Sequence, residues 1–462
     1  MSFVRPTGLS LIALFATLVF AALAVAQDKT ETVPPGLKAG QTLAFYGDSI
    51  THHNHYVDYL TLFYATRYPD MPLTFHNAGV GGNTSASAMG RFRQDILVQD
   101  PDMVALFFGM NDGRRGRAYD EKILDAYKKN MGRLIERIET EAKAKVILLT
   151  PSMYDHHRHK SLADKPVDFS EEYNDRLVRL GDYLKQLGRA KDCPVIDLNA
   201  PMVAVTEAMR KKDKEATLSK EGVHPTPEGH FVMAYAILKG FDVAGDVGSV
   251  TVDVKSGKAQ TQRAQVSNLK TTETGAEFDL LAESLPFPYP RDVRKMLPYV
   301  PFTKELNREV VRITGLPEGL YALTIDGKSV GAFSHESFAE GLEMARRTAT
   351  PQYQQAEEVS KINDRLQALV HIHRDFRWME KVRGYRQPDG TYRSDRTGVV
   401  IIDDAGEVVR VTGEQWLAKF NEMARKNAEA LKEMPKLREA LYKAAQPKTR
   451  RYVLTQAARR QP

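Results

Sequence analysis

From Gln41 to about Gly240, short apolar runs alternate with stretches in which apolar residues recur every three to four positions. The runs predict strands at Thr42–Tyr46, Leu73–His76, Met103–Phe108, Lys145–Thr150 and Pro194–Asp197. The periodic stretches predict helices at Tyr56–Tyr68, Ser85–Ile96, Tyr119–Glu141 and Ser170–Arg189, and a last one from Pro227 to about Leu238. Pro227 suits the first turn of that helix, where a missing N–H costs nothing. Apolar strands separated by helices are the pattern of a parallel sheet covered on both faces. The expected fold is therefore α/β, a three-layer α/β/α sandwich over residues 38–243.

Beyond about Asp242 the period changes. The segments "SVTVDV", "AEFDLLA", "EVVRITGL" and "LYALTIDG" alternate as half-buried strands do, with Pro-Glu-Gly and Asp-Gly supplying turns. A β-rich accessory region is expected over residues 248–335, interrupted by the proline-dense "LPFPYPRD". Residues 336–462 read as mostly helical, with "YQQAEEVSKINDRLQALVHIHRDFRWME" as the longest such pattern. Within them "TGVVIIDDAGEVVRV" reads as a hairpin, followed by charged helices to the end. The closing "KTRRYVLTQAARRQP" gathers basic residues, the composition of a solvated tail.

Composition narrows the class. A chain of 462 residues with 42% hydrophobic and 27% charged residues is a folded protein with more than one core. Its first segment has Arg5, an apolar run from about Leu9 and the small-x-small triplet Ala24-Val25-Ala26. That triplet favours a cleaved secretory signal over residues 1–26 rather than a membrane anchor. The expected location is the periplasm or exterior of a bacterial envelope. Cys193 is the one cysteine, so the chain must rely on its core rather than on intramolecular disulfides. The net charge of +6 is modest for this length, and no nucleic-acid partner, nor a membrane partner after signal removal, is expected.

The candidate chemistry begins at "LAFYGDSITHH", where a strand pattern breaks into Gly-Asp-Ser and places Ser49 at the carboxyl end of a parallel strand. Ligands bind on that side of such sheets. The loop after the next strand, "NAGVGGNTSAS", has glycines that let backbone N–H groups approach a ligand. The loop after the following strand, "FFGMNDG", supplies Asn111, whose amide can donate to a developing oxyanion, and "SKEGVHPTPEGH" supplies His224.

With "GDSI" at Gly47–Ile50, the Gly of "GGNT" at Gly82, "GMND" at Gly109–Asp112 and "EGVHP" at Glu221–Pro225, the chain resembles the SGNH, or GDSL-like, hydrolase family over roughly Leu43–Leu238. The resemblance implies a flavodoxin-like fold. It further implies Ser49 as nucleophile, His224 as general base, and an oxyanion hole of Ser49 N–H, Gly82 N–H and the Asn111 side chain. It calls for no metal and no organic cofactor. Family members usually carry Asp three residues before the histidine, whereas this chain has Glu221. Glu serves in some unrelated triads, and a Ser-His dyad is the alternative. An α/β-hydrolase is disfavoured, because Ser49 lies outside a G-x-S-x-G elbow.

The implied activity is hydrolysis of acyl esters on a small molecule or a carbohydrate, with O-acetyl groups favoured. A non-catalytic carbohydrate-binding or scaffold protein that retains the fold is the alternative, as is a lipid or thioester substrate. The histidines of "THHNH" and "YDHHRH" lack a known zinc spacing and read as loop residues or substrate contacts, with His52, His53 and His156 as the candidates. Asp48 and Asp112 read as loop-stabilising acceptors. The helix bearing Trp378 is expected to pack on the core rather than bind sugars, and "RRGR" at Arg114–Arg117 to be solvated or, alternatively, to contact an anionic substrate.

Overall fold

The computed structural model describes residues 32–162, 171–382, 399–402, 408–411 and 413–457; the predicted signal segment lies outside them. Five parallel strands form the first sheet: β1 (Thr42–Gly47), β2 (Thr74–Gly79), β3 (Met103–Phe107), β4 (Lys145–Leu149) and β5 (Val195–Ile196). Their order is β2-β1-β3-β4-β5, the doubly wound order with a switch point between β1 and β3. Every residue of β3 is buried, as the uninterrupted apolar run requires.

The predicted helices are present with shifted ends, as at His55–Arg67, Tyr173–Lys191 and Pro227–Gly240. The one predicted over Ser85–Ile96 is broken into Ser85–Ala88, a 3-10 turn and Phe92–Asp95. A helix at Asn199–Arg210 was not expected. His55–Arg67 is apolar almost all round and correspondingly buried on nearly every face. Phe63 in this helix packs against Phe287 and Phe302, so the proline-dense segment joins the core of the α/β layer.

Two further sheets pack face to face. One is ordered Leu342–Glu343, Val310–Thr314, Ser249–Asp253, Lys258–Gln262. The other is ordered Lys328–Ser334, Leu320–Ile325, Arg450–Gln456, Gly275–Ala282, Ala264–Thr272. Between them lie Val250, Val252, Val311 and Ile313 from the first and Phe278, Leu280, Leu323, Tyr452 and Leu454 from the second.

The sandwich overturns the reading of a solvated tail over Arg450–Gln456; residues 458–462 of that reading lie outside the described residues. Arg450–Gln456 pairs on both sides, with Gly275–Ala282 and Leu320–Ile325. Tyr452 and Leu454 are each 2% exposed, and Tyr452 stacks on Phe278 at 5.1 Å. The basic residues misled because Arg450 and Arg451 open a strand in which only Tyr452 and Leu454 are buried, too short an alternation to stand out from the charges around it.

The long helix Pro351–Val382 runs antiparallel to Gly413–Ala444, with Gln355 donating to the Ala444 carbonyl (3.0 Å) and His373 bonded to Asn427 (2.8 Å). Between these helices in the chain, Val399–Ile402 and Val408–Val411 pair antiparallel, as expected of a hairpin. Ala356, Val359 and Leu366 of the first helix and Leu441 and Tyr442 of the second bury against the α/β core. Among the described residues no helix is long and apolar enough to cross a membrane.

Candidate active site

Ser49 opens a short helix directly after β1, with Asp48 as its N-cap. Asp48 is buried and accepts from Ile50 N–H at 2.9 Å. Burial pushes its carboxyl up to about 7. It shapes the turn that presents Ser49, as expected of a loop-stabilising acceptor.

His224 lies just before the Pro227–Gly240 helix, and its Nε2 is 2.8 Å from Ser49 Oγ. Its Nδ1 is hydrogen-bonded to Glu221 Oε1, which also accepts from the His224 backbone N–H at 3.3 Å. Burial alone would raise the Glu221 carboxyl, but the bond to His224 and the charge on that ring outweigh it and hold the group below its ordinary value.

The longer side chain of Glu is accommodated by a tight turn. Gly222 sits at φ +92°, and a Cβ there would lie 2.8 Å from the Asp155 carbonyl oxygen. Asp155 N–H donates to the Gly222 carbonyl (2.8 Å), Arg158 Nε donates to the Lys220 carbonyl (3.0 Å), and Lys220 N–H donates to the His224 carbonyl (2.9 Å). The carboxylate of Asp155 is in turn fixed by Arg210 at 2.7 and 2.8 Å and by the Thr217 hydroxyl at 2.6 Å.

The loops after β2 and β3 complete the cleft, about 650 Å³ in volume and lined by Ser49, Gly82, Asn111, Glu221 and His224 among others. Gly82 has φ +68°, which turns the loop back over the site. Asn111 Nδ2 donates to the Asn83 carbonyl at 2.9 Å and lies 3.4 Å from Asp48 Oδ2, which orients the amide between the two loops. Asp112 is buried and holds the Ser85 N–H at 3.0 Å, and burial raises its carboxyl to about 6. It is an acceptor that anchors one loop to the other.

Residues 45–231 match the model of the GDSL-like lipase/acylhydrolase family. An acetylxylan esterase of Geobacillus stearothermophilus is 27% identical over 223 residues, covering 44% of this chain and 94% of that protein. The solved structure of a gut microbial diltiazem-metabolizing enzyme superposes with a TM-score of 0.79 at 27% identity, covering 93% of this chain and 100% of the other.

Residues 45–231 form a GDSL-like lipase/acylhydrolase domain.

This GDSL-like protein is a carboxylic ester hydrolase, and the superposition reaches well beyond its α/β layer, so the sandwich and helices are shared architecture. The helix Pro351–Val382 is tied directly to the catalytic layer. A chain of buried amides runs from Asn363 through Gln367 (3.0 Å) and Asn54 (2.7 Å) to Asn77 (2.7 Å), and Asn77 accepts from Gly79 N–H (2.8 Å) and donates to the Thr51 carbonyl (2.6 Å). Arg374 donates to the Asn77 carbonyl. Arg91, paired with Asp95 at 2.6 Å, donates to the carbonyls of Gly47 and Ala78 (both 2.7 Å) and to the Asn83 side chain (2.8 Å), bracing three loops at once.

The histidines of this GDSL-like protein diverge. The His53 ring lies 4.8 Å from that of His224, and burial, reinforced by that neighbour, pushes it down to about 3, so it stays neutral beside His224. His52 turns to Asp375 at 3.1 Å, and His156 to Glu171 at 3.4 Å; neither lines the cleft. His55 faces His230 and His371. Trp378 does line the cleft, with its indole 3.4 Å from where a side chain on Gly81 would begin. The helix packs on the core as expected, yet this one residue reaches the site. Its sequence signal was a lone Trp on an otherwise core-facing helix, and nothing local told it apart from a packing residue.

Proposed function

We propose that this protein hydrolyses short-chain acyl esters, with O-acetyl groups on carbohydrate as the favoured class, through a Ser49-His224-Glu221 triad. The observation that carries the reading is the continuous line of hydrogen bonds from Glu221 through the His224 ring to Ser49 Oγ. Ser49 Oγ attacks the acyl carbon as its proton passes to His224 Nε2, a transfer worth about 10²–10⁴-fold. The carbonyl electron pair moves onto oxygen, where Ser49 N–H, Gly82 N–H and the Asn111 amide are the donors. Collapse expels the alcohol, which takes the proton from His224. Water then adds to the acyl-serine with His224 again as base, and the carboxylic acid leaves. Glu221 fixes the Nδ1–H tautomer and stabilises the imidazolium.

The carbohydrate class is supported by the acetylxylan esterase relative. Export is supported by the Ala24-Val25-Ala26 triplet, and the matching check is N-terminal sequencing of the secreted protein, expected to begin at Gln27. The activity is tested by hydrolysis of p-nitrophenyl acetate and of acetylated xylo-oligosaccharides, with Ser49→Ala as control. Release of acetate that disappears in the control is expected; equal rates in both proteins would refute the serine mechanism.

A further inference from the structure

The cleft that holds Ser49 and His224 is also lined by Arg114, Arg115 and Arg117, all on the loop after Asn111. These three side chains are exposed, and among the described residues no carboxylate lies within ion-pair distance of any of them. The loop itself is not slack. Arg176, 2% exposed on the Tyr173–Lys191 helix, donates to the carbonyls of Gly113 (2.7 Å), Arg114 (3.2 Å) and Arg117 (3.0 Å). Tyr173, which lines the same cleft, donates from its hydroxyl to the Met110 carbonyl. The backbone is thus pinned from the protein side while three guanidinium groups stand at the cleft.

Like charges gathered on one short loop repel, and an anion between them relieves that repulsion. Planar guanidinium forks match a carboxylate in paired, charge-assisted hydrogen bonds better than a point charge would. Trp378 adds a flat aromatic face on the same cleft, suited to the apolar face of a ring. We infer that the alcohol part of the ester is an acylated sugar acid, whose ring meets Trp378 and whose carboxylate is held by Arg114, Arg115 and Arg117. This rests on the proposed ester hydrolysis at Ser49 and adds the charge of the substrate to it.

The experiment compares kcat/KM for 3-O-acetyl methyl glucuronoside, the corresponding neutral glucoside and its 6-phosphate, at low and at high NaCl, with p-nitrophenyl acetate alongside. The sugar acid is expected to be preferred over the neutral sugar by about tenfold at low salt, with the preference shrinking as salt screens the arginines. Arg115→Gln and Arg117→Gln should each reduce that ratio, chiefly through KM for the acid. Without turnover, the Ser49→Ala protein should bind the sugar acid more tightly than the neutral sugar in calorimetry. A ratio near one, with Ser49-dependent hydrolysis of p-nitrophenyl acetate intact, overturns the inference and leaves the esterase reading standing. Preference for the 6-phosphate over the carboxylate overturns the sugar-acid assignment. Absence of Ser49-dependent hydrolysis of every ester sinks both.

Discussion

The carboxylate of Glu221 meets His224 twice, at the ring Nδ1 and at the backbone N–H, through a turn that Gly222 makes possible. Glu therefore reaches where Asp is usual in the family. Replacing it by Gln keeps the shape but invites the wrong imidazole tautomer, and kcat should fall by up to about 10⁴-fold. Glu221→Asp shortens the arm in the same turn and should retain an intermediate rate. Steady-state kinetics on p-nitrophenyl acetate decide this, and a Gln variant within about threefold of the parent would leave a Ser-His dyad.

Asn111 is placed by its bond to the Asn83 carbonyl rather than by a substrate. Asn111→Ala should lower kcat by about 10²–10³-fold with little change in KM, because its amide is needed only once negative charge develops. A proportionate rise in KM instead would assign Asn111 to ground-state binding.

Asp155 sits under the Glu221–His224 turn, 4% exposed and bound to Arg210. Burial alone would raise its carboxyl, but Arg210 and the Thr217 hydroxyl outweigh that and hold it low. It therefore contributes stability that is present above its unfolded value of about 3.8 and is lost as pH falls through the lower, folded one. Asp155→Ala leaves the Arg210 charge without its carboxylate and should cost about 3 kcal/mol, read by urea unfolding at neutral pH. The loss should shrink toward acid pH.

Glu309 makes the opposite case. It is buried beside the sandwich, bonded to Gln352 through one oxygen, and burial pushes it up to about 8. Between about 4.5 and 8 the folded protein binds this proton more tightly than the unfolded chain does, so stability is full below that window and declines through it. One such proton gives a slope of about 1.4 kcal/mol per pH unit. Glu309→Gln removes the titration, and its unfolding free energy from pH 5 to 9 should show a flatter dependence than the parent's.

Truncation after residue 449 should not yield a soluble protein. It deletes Arg450–Gln456, unpairing Gly275–Ala282 and Leu320–Ile325 and opening the space filled by Tyr452 and Leu454. Soluble yield and gel filtration read the outcome; a monomeric, cooperatively folded product would show the strand to be dispensable.

By itself the sequence determined the α/β layer and the candidate residues at its strand ends. Buried parallel strands write near-continuous apolar runs, and a βα repeat brings the loops that follow successive strands to one edge. Ser49, Asn111 and the glycine loop of residues 77–87 could be placed together from chain order, with Gly82 singled out in that loop by the family resemblance, and His224 from its position before the last helix. The tertiary structure decided what depends on distant partners. Arg450–Gln456 is a strand because segments more than a hundred residues earlier flank it, and no local period distinguishes that from a charged tail. Trp378 meets the cleft, and Asn363 and Gln367 reach the Asn54–Asn77 pair, because one long helix lies across the catalytic layer. The unusual length of Glu221 was visible in the sequence, but its fit rests on the turn at Gly222 and the Asp155–Arg210 anchor beneath it, contacts set by packing rather than by spacing.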